Sequence, residues 1–180
     1  MRILICLALL MFCNAFSPAQ TAISKEYQVK AAFLFNFTQF VNWPATGFSS
    51  NSASLVIGIT GKDPFGSFLD EMVAGEKVNG HPLVIQRCKT VEEMRECHLL
   101  FLALDDTKKL EEILAGLKGR NILTVSDHPD FLQIGGMMRF STGNNKVQIQ
   151  VNLEATDAAG LTISSKLLRM VEIFTPFKNS

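Results

Sequence analysis

The sequence predicts an α/β protein with a mostly parallel sheet, helices on both faces in a Rossmann-like three-layer arrangement, a C-terminal antiparallel hairpin and a terminal helix. Four short apolar runs alternate with segments of helical periodicity, which is typical of parallel strands joined by crossover helices. Near the end of the chain, two strand-like segments flank a turn signal instead. The 180 residues are enough for one domain with a substantial core.

The first nineteen residues predict export. Arg2 is their only charge, and the apolar run over residues 3–12 is shorter than the 20 or so residues that span a bilayer. Ser17-Pro18-Ala19 is a suitable cleavage site. We therefore predict a signal peptide over 1–19, a single domain over 20–180 and a periplasmic location. Lipoprotein processing at Cys13 is the rival prediction, but Phe12 stands where that processing needs a small residue.

The first element of the mature chain is predicted as an amphipathic helix over residues 24–43. Ser24 can cap its start, and Pro44 prevents its continuation. The apolar residues at helical spacing are expected to pack on the sheet: Phe33, Leu34, Phe37 and Val41. The alternative is that Phe35 or Phe40, on other faces, belongs to an exposed patch that binds a partner.

The middle of the chain predicts strands and helices in alternation. β-branched and apolar runs indicate strands over 55–59, 82–88, 98–104 and 121–125. Helices are expected to start at caps and to connect these strands: from Asp63 with Pro64 in the first turn, from Thr90 to Glu96, and from Asp105 or Asp106 to Leu117. Asn79-Gly80 predicts a turn.

The C-terminal part predicts a hairpin and then a helix. Strands are expected over 137–141 and 146–153, with residues 143–145 as the turn. Gln148, Gln150 and Asn152 alternate with apolar residues, so one face of the second strand is expected to meet solvent. The final helix is predicted over 163–173.

Charge and cysteine content limit the function classes. Lys and Arg together number 17, as do Asp and Glu, and removal of the leader leaves a net charge of −1. A nucleic-acid partner is therefore not expected, because such binders usually carry a basic excess. Of four cysteines, only Cys88 and Cys97 stay in the mature chain. In an oxidising compartment they are candidates for a disulfide, with two buried thiols or a redox-sensing pair as alternatives.

No motif for a cofactor or a metal stands out. The glycine-containing turn over 58–66 lacks both the P-loop and the dinucleotide-binding spacing. His81, His98 and His128 are not at metal-ligand spacing. We expect no cofactor, no metal and no catalytic residues. The ends of the predicted strands nevertheless suggest a ligand crevice, formed by Gly61, Asp105, Asp127 and His128.

Seven stretches, in order, resemble the YfiR family of secreted regulators, which includes HmsC. The resemblance extends over residues 26–174 and rests on VKAAFLFNF (29–37), FVNWP (40–44), CHLLF (97–101), LTVSD (123–127), GGM (135–137), VNL (151–153) and AAGLTISSKLL (158–168). It implies a periplasmic α/β protein, a homodimer, without enzymatic activity. It also implies repression of an inner-membrane diguanylate cyclase through that enzyme's periplasmic sensor region, with less cyclic di-GMP and less biofilm. An outer-membrane lipoprotein that sequesters the repressor is a further implied partner.

Three functional hypotheses follow from the residues and the resemblance together. The first is a repressor that acts by surface contact, with Phe35, Phe40, Trp43, Gln148 and Gln150 as the candidate partner surface. The second is a receptor for a small ligand or a cell-wall fragment, which would use the predicted crevice. The third is an enzyme with an acid/base pair at Asp127 and His128, and it lacks a nucleophile motif.

Overall fold

A computed structural model describes residues 23–144 and 146–175. The predicted signal peptide over 1–19 lies outside the described residues, as does Asn145 of the predicted turn. Within the described ranges, no helix combines the length and the apolar character that crossing a bilayer takes.

Six α-helices, ten strands and a short 3₁₀ helix (Ala45–Gly47) make up the described fold. The helices are α1 (Lys25–Phe40), α2 (Ser67–Val73), α3 (Val91–Met94), α4 (Thr107–Gly116), α5 (Leu153–Ala158) and α6 (Ser165–Leu168). The strands are β1 (Val41–Asn42), β2 (Leu55–Gly61), β3 (Lys77–Val78), β4 (His81–Cys88), β5 (Leu99–Ala103), β6 (Leu123–Ser126), β7 (Met138–Gly143), β8 (Lys146–Val151), β9 (Thr162–Ile163) and β10 (Glu172–Ile173).

Eight strands form the main sheet, in the order β10-β8-β7-β6-β5-β2-β4-β3. Neighbours from β4 through β2, β5 and β6 to β7 are parallel, as are β8 and β10. The pairs β3–β4 and β7–β8 are antiparallel. The predicted α/β fold with a large, mostly parallel sheet is confirmed, and the sheet is mixed. The finer Rossmann-like layering stays a prediction.

The central strands place their side chains in two separate apolar clusters. Along β5, Leu99 and Phe101 join the cluster that includes α1 and α2, while Leu100 and Leu102 join the cluster that includes α4. Successive side chains of a strand point to opposite faces, so the two clusters lie on the two faces of the sheet. The β5 side chains in both clusters are fully buried, which explains why this strand reads as a continuous apolar run.

Helix α1 starts where the sequence predicts and ends earlier. Ser24 caps it, since its hydroxyl accepts a hydrogen bond from the Tyr27 N–H at 3.3 Å. The predicted end at Trp43 is wrong, because the helix stops at Phe40 and Val41 and Asn42 pair antiparallel with β9. The expected packing of the stripe is confirmed, with Leu34, Phe37 and Val41 all buried.

The predicted start of the second helix at Asp63 is also wrong. Helix α2 begins at Ser67, and Gly66 precedes it with a φ of 53°. Asp63 instead closes a turn, because its Oδ1 accepts hydrogen bonds from the backbone N–H groups of Phe65 and Gly66. Its other oxygen accepts from Arg87 Nε at 3.0 Å. The aspartate thus forms the polar turn that often competes with a helix start.

Other predicted caps and turns are confirmed. Thr90 and Glu93 form a complete capping box at α3, and Asp106 caps α4. Asn79 and Gly80, both with positive φ, form the tight turn between β3 and β4.

The predicted terminal helix over 163–173 is wrong. Thr162 and Ile163 form β9, Ser164 caps the short α6, and the chain then adds β10 beside β8. Helical spacing in this stretch is outweighed by strand pairing, because β10 covers an edge that would otherwise leave backbone groups unpaired. Helix α5 is not predicted from the sequence, and Asn152 caps it by accepting a hydrogen bond from the Ala155 N–H at 3.0 Å.

Candidate functional site

The first turns of helix α1 reach the carboxyl end of β6, where Asp127 of the predicted ligand crevice lies. The Lys30 side chain is only 3% exposed, and its Nζ lies 3.1 Å from Asp127 Oδ2 and 2.7 Å from Glu26 Oε1. The Tyr27 hydroxyl donates to the same Asp127 oxygen at 2.9 Å. We call Glu26, Tyr27, Lys30 and Asp127 the α1 ion cluster. Through Asp127, which directly follows β6, this cluster fastens α1 to the end of that strand.

Charge and burial explain the protonation of the α1 ion cluster. The hydrogen bond from Lys30 lowers the pKa of Glu26, despite partial burial, and Thr142 Oγ1 donates to the same carboxylate at 2.9 Å. Burial raises the pKa of Tyr27, and the hydrogen bond to Asp127 adds to that rise. Tyr27 is therefore a neutral donor at physiological pH. The cluster also reaches β7 through Thr142.

The other residues of the predicted crevice have separate roles. Gly61 ends β2 with a φ of 87°, and a Cβ there would lie 2.1 Å from the Ala103 carbonyl oxygen, so this position requires glycine. Asp105 is exposed. His128 Nδ1 accepts from the Asp130 N–H at 3.2 Å, and its Nε2 lies 3.3 Å from Thr107 Oγ1. Among hydrogen bonds within the described ranges, none joins His128 to the Asp127 carboxylate.

The predicted partner residues divide between two regions. Phe35, Phe40 and Trp43 are half-buried and pack against the larger apolar cluster. Gln148 is exposed on β8, and Gln150 is half-buried there with its Nε2 donating to Glu172 Oε2 at 3.2 Å. The three aromatic side chains therefore contribute more to packing than to free surface.

The sheet edge formed by β10 carries exposed apolar side chains that the sequence analysis did not single out. Met170 is 54% exposed and Ile173 is 57% exposed. Ile173 aligns with Val151 of β8, and the preceding Glu172 aligns with Gln150. The edge therefore combines two exposed apolar groups with the predicted polar residues of β8. A helix prediction for residues 163–173 hid this edge from sequence reasoning.

The cysteines Cys88 and Cys97 lie together in the second apolar cluster. Both are free thiols and buried, and their sulfurs are 3.5 Å apart. They meet over Gly58 of β2, where an added Cβ would lie 2.4 Å from Cys97 Sγ. Burial raises the pKa of both thiols. Each sulfur is therefore a neutral thiol at pH 7, which makes it a slow nucleophile.

An open, mostly apolar cleft of about 520 Å³ lies at the opposite end of the sheet from the α1 ion cluster. Leu114, Ile122, Ile134 and Met137 contribute apolar walls. The cationic side chains of Lys118 and Arg120 also line it, and both residues are exposed. Its volume falls in the range of about 300–1,000 Å³ that is common for ligand pockets. No cluster of three His, Cys, Asp or Glu side chains within the described ranges is arranged to hold a metal ion.

Sequence reasoning missed the two residues that organise these sites. Lys30 lies at a helical position shared with apolar neighbours, and a lysine in such a stripe is the signal of a buried ion pair. Gly58 interrupts an otherwise β-branched strand, which indicates a close approach by another group. Both signals are present in the sequence, but neither identifies the partner, because Asp127 and Cys97 are distant along the chain.

One family of known proteins matches most of this chain. The model of a family described as YfiR/HmsC-like matches residues 27–172. The matched range starts within α1 and ends at the first residue of β10, so it includes the α1 ion cluster from Tyr27 onward, both cysteines and the apolar cleft.

Proposed function

This chain belongs to the YfiR/HmsC-like family, and from that membership we propose that it is a periplasmic repressor of an inner-membrane diguanylate cyclase. It binds the periplasmic sensor region of the cyclase and so limits cyclic di-GMP, exopolysaccharide and biofilm. The single observation that carries this proposal is the family match over residues 27–172. The proposed mature protein is one domain over 20–180, exported by the signal peptide.

The chemistry of the described residues supports action by contact. The best candidate acid, Asp127, is held by Lys30 and Tyr27, and the two thiols are buried and neutral. In this protein these groups contact other residues of the fold, whereas an enzyme would present such groups to its substrate. A repressor that works by occupancy needs only a preformed surface.

We place the proposed cyclase-binding surface at the β10 edge, with Met170 and Ile173 as apolar contacts and Gln148 and Gln150 as polar neighbours. Exposed apolar side chains bordered by polar groups are characteristic of protein-binding surfaces. A standard interface needs about 800 Å² from each partner, so neighbouring residues must contribute. Phe35 and Phe40 belong to the proposed surface only if α1 contributes to it, and Trp43 belongs to it only if the segment after β1 contributes.

The test measures cyclic di-GMP in cells that lack the gene and are complemented with variants. Deletion should raise cyclic di-GMP, and wild type should restore the low level. Ile173→Glu should restore it poorly, because a charge at the interface is costly to bury. Val84→Glu is the matched control, since Val84 is an exposed apolar strand residue elsewhere in the sheet.

A membrane pull-down with the same variants completes the test. Wild type and Val84→Glu should retain a diguanylate cyclase, while Ile173→Glu should lose it. Unchanged cyclic di-GMP on deletion, with no cyclase retained by wild type, would overturn the repressor. If Ile173→Glu retains the cyclase as well as wild type does, only the placement of the binding surface at the β10 edge is overturned. A homodimer and capture by an outer-membrane lipoprotein are further proposals, tested by sedimentation and by the same pull-down from outer membranes.

A small-ligand receptor is the second candidate function, and the apolar cleft favours it. We propose that its ligand is a small amphipathic anion, because the apolar walls are joined there by the two cations Lys118 and Arg120 against the single carboxylate of Glu111. The crevice predicted at Gly61, Asp105, Asp127 and His128 stays a separate prediction, in which Asp127 already has Lys30 and Tyr27 as partners. Thermal-shift screening with aliphatic and aromatic carboxylates should stabilise wild type and not Arg120→Glu. A flat response across such a panel contradicts the receptor.

A further inference from the structure

The segment over residues 45–53, which we call the flap, precedes β2 and is held by two histidines. His98 Nε2 lies 3.1 Å from the Gly47 carbonyl oxygen, and His81 Nδ1 lies 2.6 Å from the Ala53 carbonyl oxygen. Between these bonds, the Phe48 ring stacks on both imidazoles, with centroid distances of 3.9 Å to His81 and 4.4 Å to His98. The flap is therefore fastened at its start, its middle and its end by imidazole rings.

The hydrogen bonds determine the tautomer of His98. Its Nδ1 accepts the Val56 N–H at 3.1 Å, so the ring hydrogen is on Nε2 and is donated to Gly47. His98 is 7% exposed. A second proton must go to Nδ1, where it would face the Val56 N–H donor. Protonation therefore breaks one hydrogen bond and places a cation in a buried site.

His81 responds differently to a proton. Its Nδ1 already donates to Ala53, because a carbonyl oxygen can only accept. A second proton goes to Nε2 and leaves that bond intact, and the cation then lies on the face of Phe48. The titratable and charged groups that face His98 are His81 across Phe48 and Glu96 from the connection before β5. Burial lowers the pKa of His98, with a smaller contribution in the same direction from His81.

We propose that the flap over residues 45–53 is released in acid, with His98 as the latch, while the main sheet stays folded. When His98 takes its second proton, the ring must leave Val56, and its contacts with Gly47 and Phe48 go with it. Release opens the cleft of about 220 Å³ that lies beside the flap, whose lining includes Trp43, Phe48 and His81. Release of the flap needs no cyclase, because every group involved belongs to this chain.

The molecule carries its own reporter of the flap. Trp43 is the only tryptophan, its Nε1 donates to the His98 carbonyl oxygen at 3.0 Å, and its ring meets His98 edge-on. As the pH of the purified protein falls from 7.5 to 5, Trp43 emission should shift to longer wavelength. Deuterium exchange, corrected for intrinsic pH effects, should rise at least tenfold in residues 45–53 and stay unchanged in β5 and β6. Far-UV circular dichroism should stay constant.

Two variants separate His98 from the other histidines. His98→Gln keeps a neutral hydrogen-bonding side chain and should abolish the pH dependence, while His128→Gln, outside the flap, should leave it as in wild type. Should His98→Gln fail to fold, wild-type NMR supplies the test, because the His98 imidazole must titrate with the same midpoint as Trp43 emission. An emission and exchange profile that is flat with pH overturns the proposal. So does a transition that persists in His98→Gln, or one in which the sheet unfolds together with the flap.

Discussion

At the scale of single residues, the most consequential side chain is Lys30. A lysine is almost never fully buried unless it is paired, because its cation loses hydration. Lys30 has two carboxylates within 3.1 Å and the Tyr27 ring 4.5 Å from its Nζ. Removal of the cation leaves Glu26 and Asp127 close together with no positive charge between them.

We predict that Lys30→Met destabilises the protein by about 2 kcal/mol, measured by urea unfolding at pH 7. Breaking a fully buried pair costs about 3–5 kcal/mol, and the value here is smaller because both carboxylates keep partial contact with water. Lys25→Met, at an exposed position of the same helix, should change stability by less than about 0.5 kcal/mol. Equal effects of the two substitutions would show that the cluster does not stabilise the fold.

The pair of thiols at Gly58 gives a second residue-scale prediction. Oxidised glutathione should close a Cys88–Cys97 disulfide slowly, because a buried, neutral thiol must first become accessible as a thiolate. Once one sulfur has formed the mixed disulfide, the second is close enough to displace glutathione, since the two sulfurs are 3.5 Å apart. Gly58→Ala should slow that reaction and cost about 1–3 kcal/mol, since its Cβ would displace Cys97 Sγ. Alkylation followed by mass spectrometry measures how much of each cysteine remains a free thiol.

The control for the cysteine prediction is Gly143→Ala, whose Cβ would meet the Gln148 side chain at 3.4 Å, an ordinary contact distance. It should oxidise like wild type. If wild type keeps two alkylatable thiols after long oxidation under native conditions, the proposed disulfide is wrong and the pair is structural.

At the scale of elements, the sequence predicts most of the sheet because its central strands carry their own signal. The apolar run of β5 identifies a strand buried on both faces, and Thr90 and Asp106 identify two helix starts correctly. The shortest strands carry no such signal in their own sequence. The two residues of β1 and of β10 are strands only because β9 and β8 pair with them, and no local pattern contains that information.

The candidate sites show the same contrast between local sequence signals and contacts of residues that are distant in the chain. Gly61 and Asp127 do lie at the carboxyl ends of strands, as parallel topology predicts. That the start of α1 reaches the end of β6 follows from contacts of Tyr27 and Lys30 with Asp127, about a hundred positions away. The His–Phe–His stack of the flap is equally non-local, because His81 and His98 come from two different strand starts. Spacing along the chain cannot reveal either arrangement.

At the scale of the whole molecule, a histidine and two carboxylates couple folding to pH in different ranges. His98 has a pKa below its ordinary value of 6.5, so its contribution to stability is complete above pH 6.5 and is lost as the pH falls below it. Glu26 and Asp70 have pKa values lowered from 4.5 and 3.8, through hydrogen bonds from Lys30 and Arg87. Their contributions are complete above those values and are lost at lower pH.

We therefore predict that the free energy of unfolding falls in two stages as the pH decreases from 7.5 to 3. The first stage, below pH 6.5, should be absent in His98→Gln. The second, below pH 4.5, should be reduced in Lys30→Met, because Glu26 then loses the group that lowers its pKa. Urea titrations at half-unit pH intervals give both profiles, and a single stage shared by all three proteins would contradict the assignment.

The long reach of the α1 ion cluster sets an order for folding. Lys30 and Asp127 are separated by 97 positions, so α1 cannot complete its packing until more than two thirds of the chain has been made. Contacts between distant positions form late, because the closure of a large loop must come first. On a ribosome-bound chain, α1 therefore lacks its final tertiary contacts during most of the synthesis. A polypeptide whose tertiary contacts are incomplete is in the form that can be threaded through a narrow translocation channel.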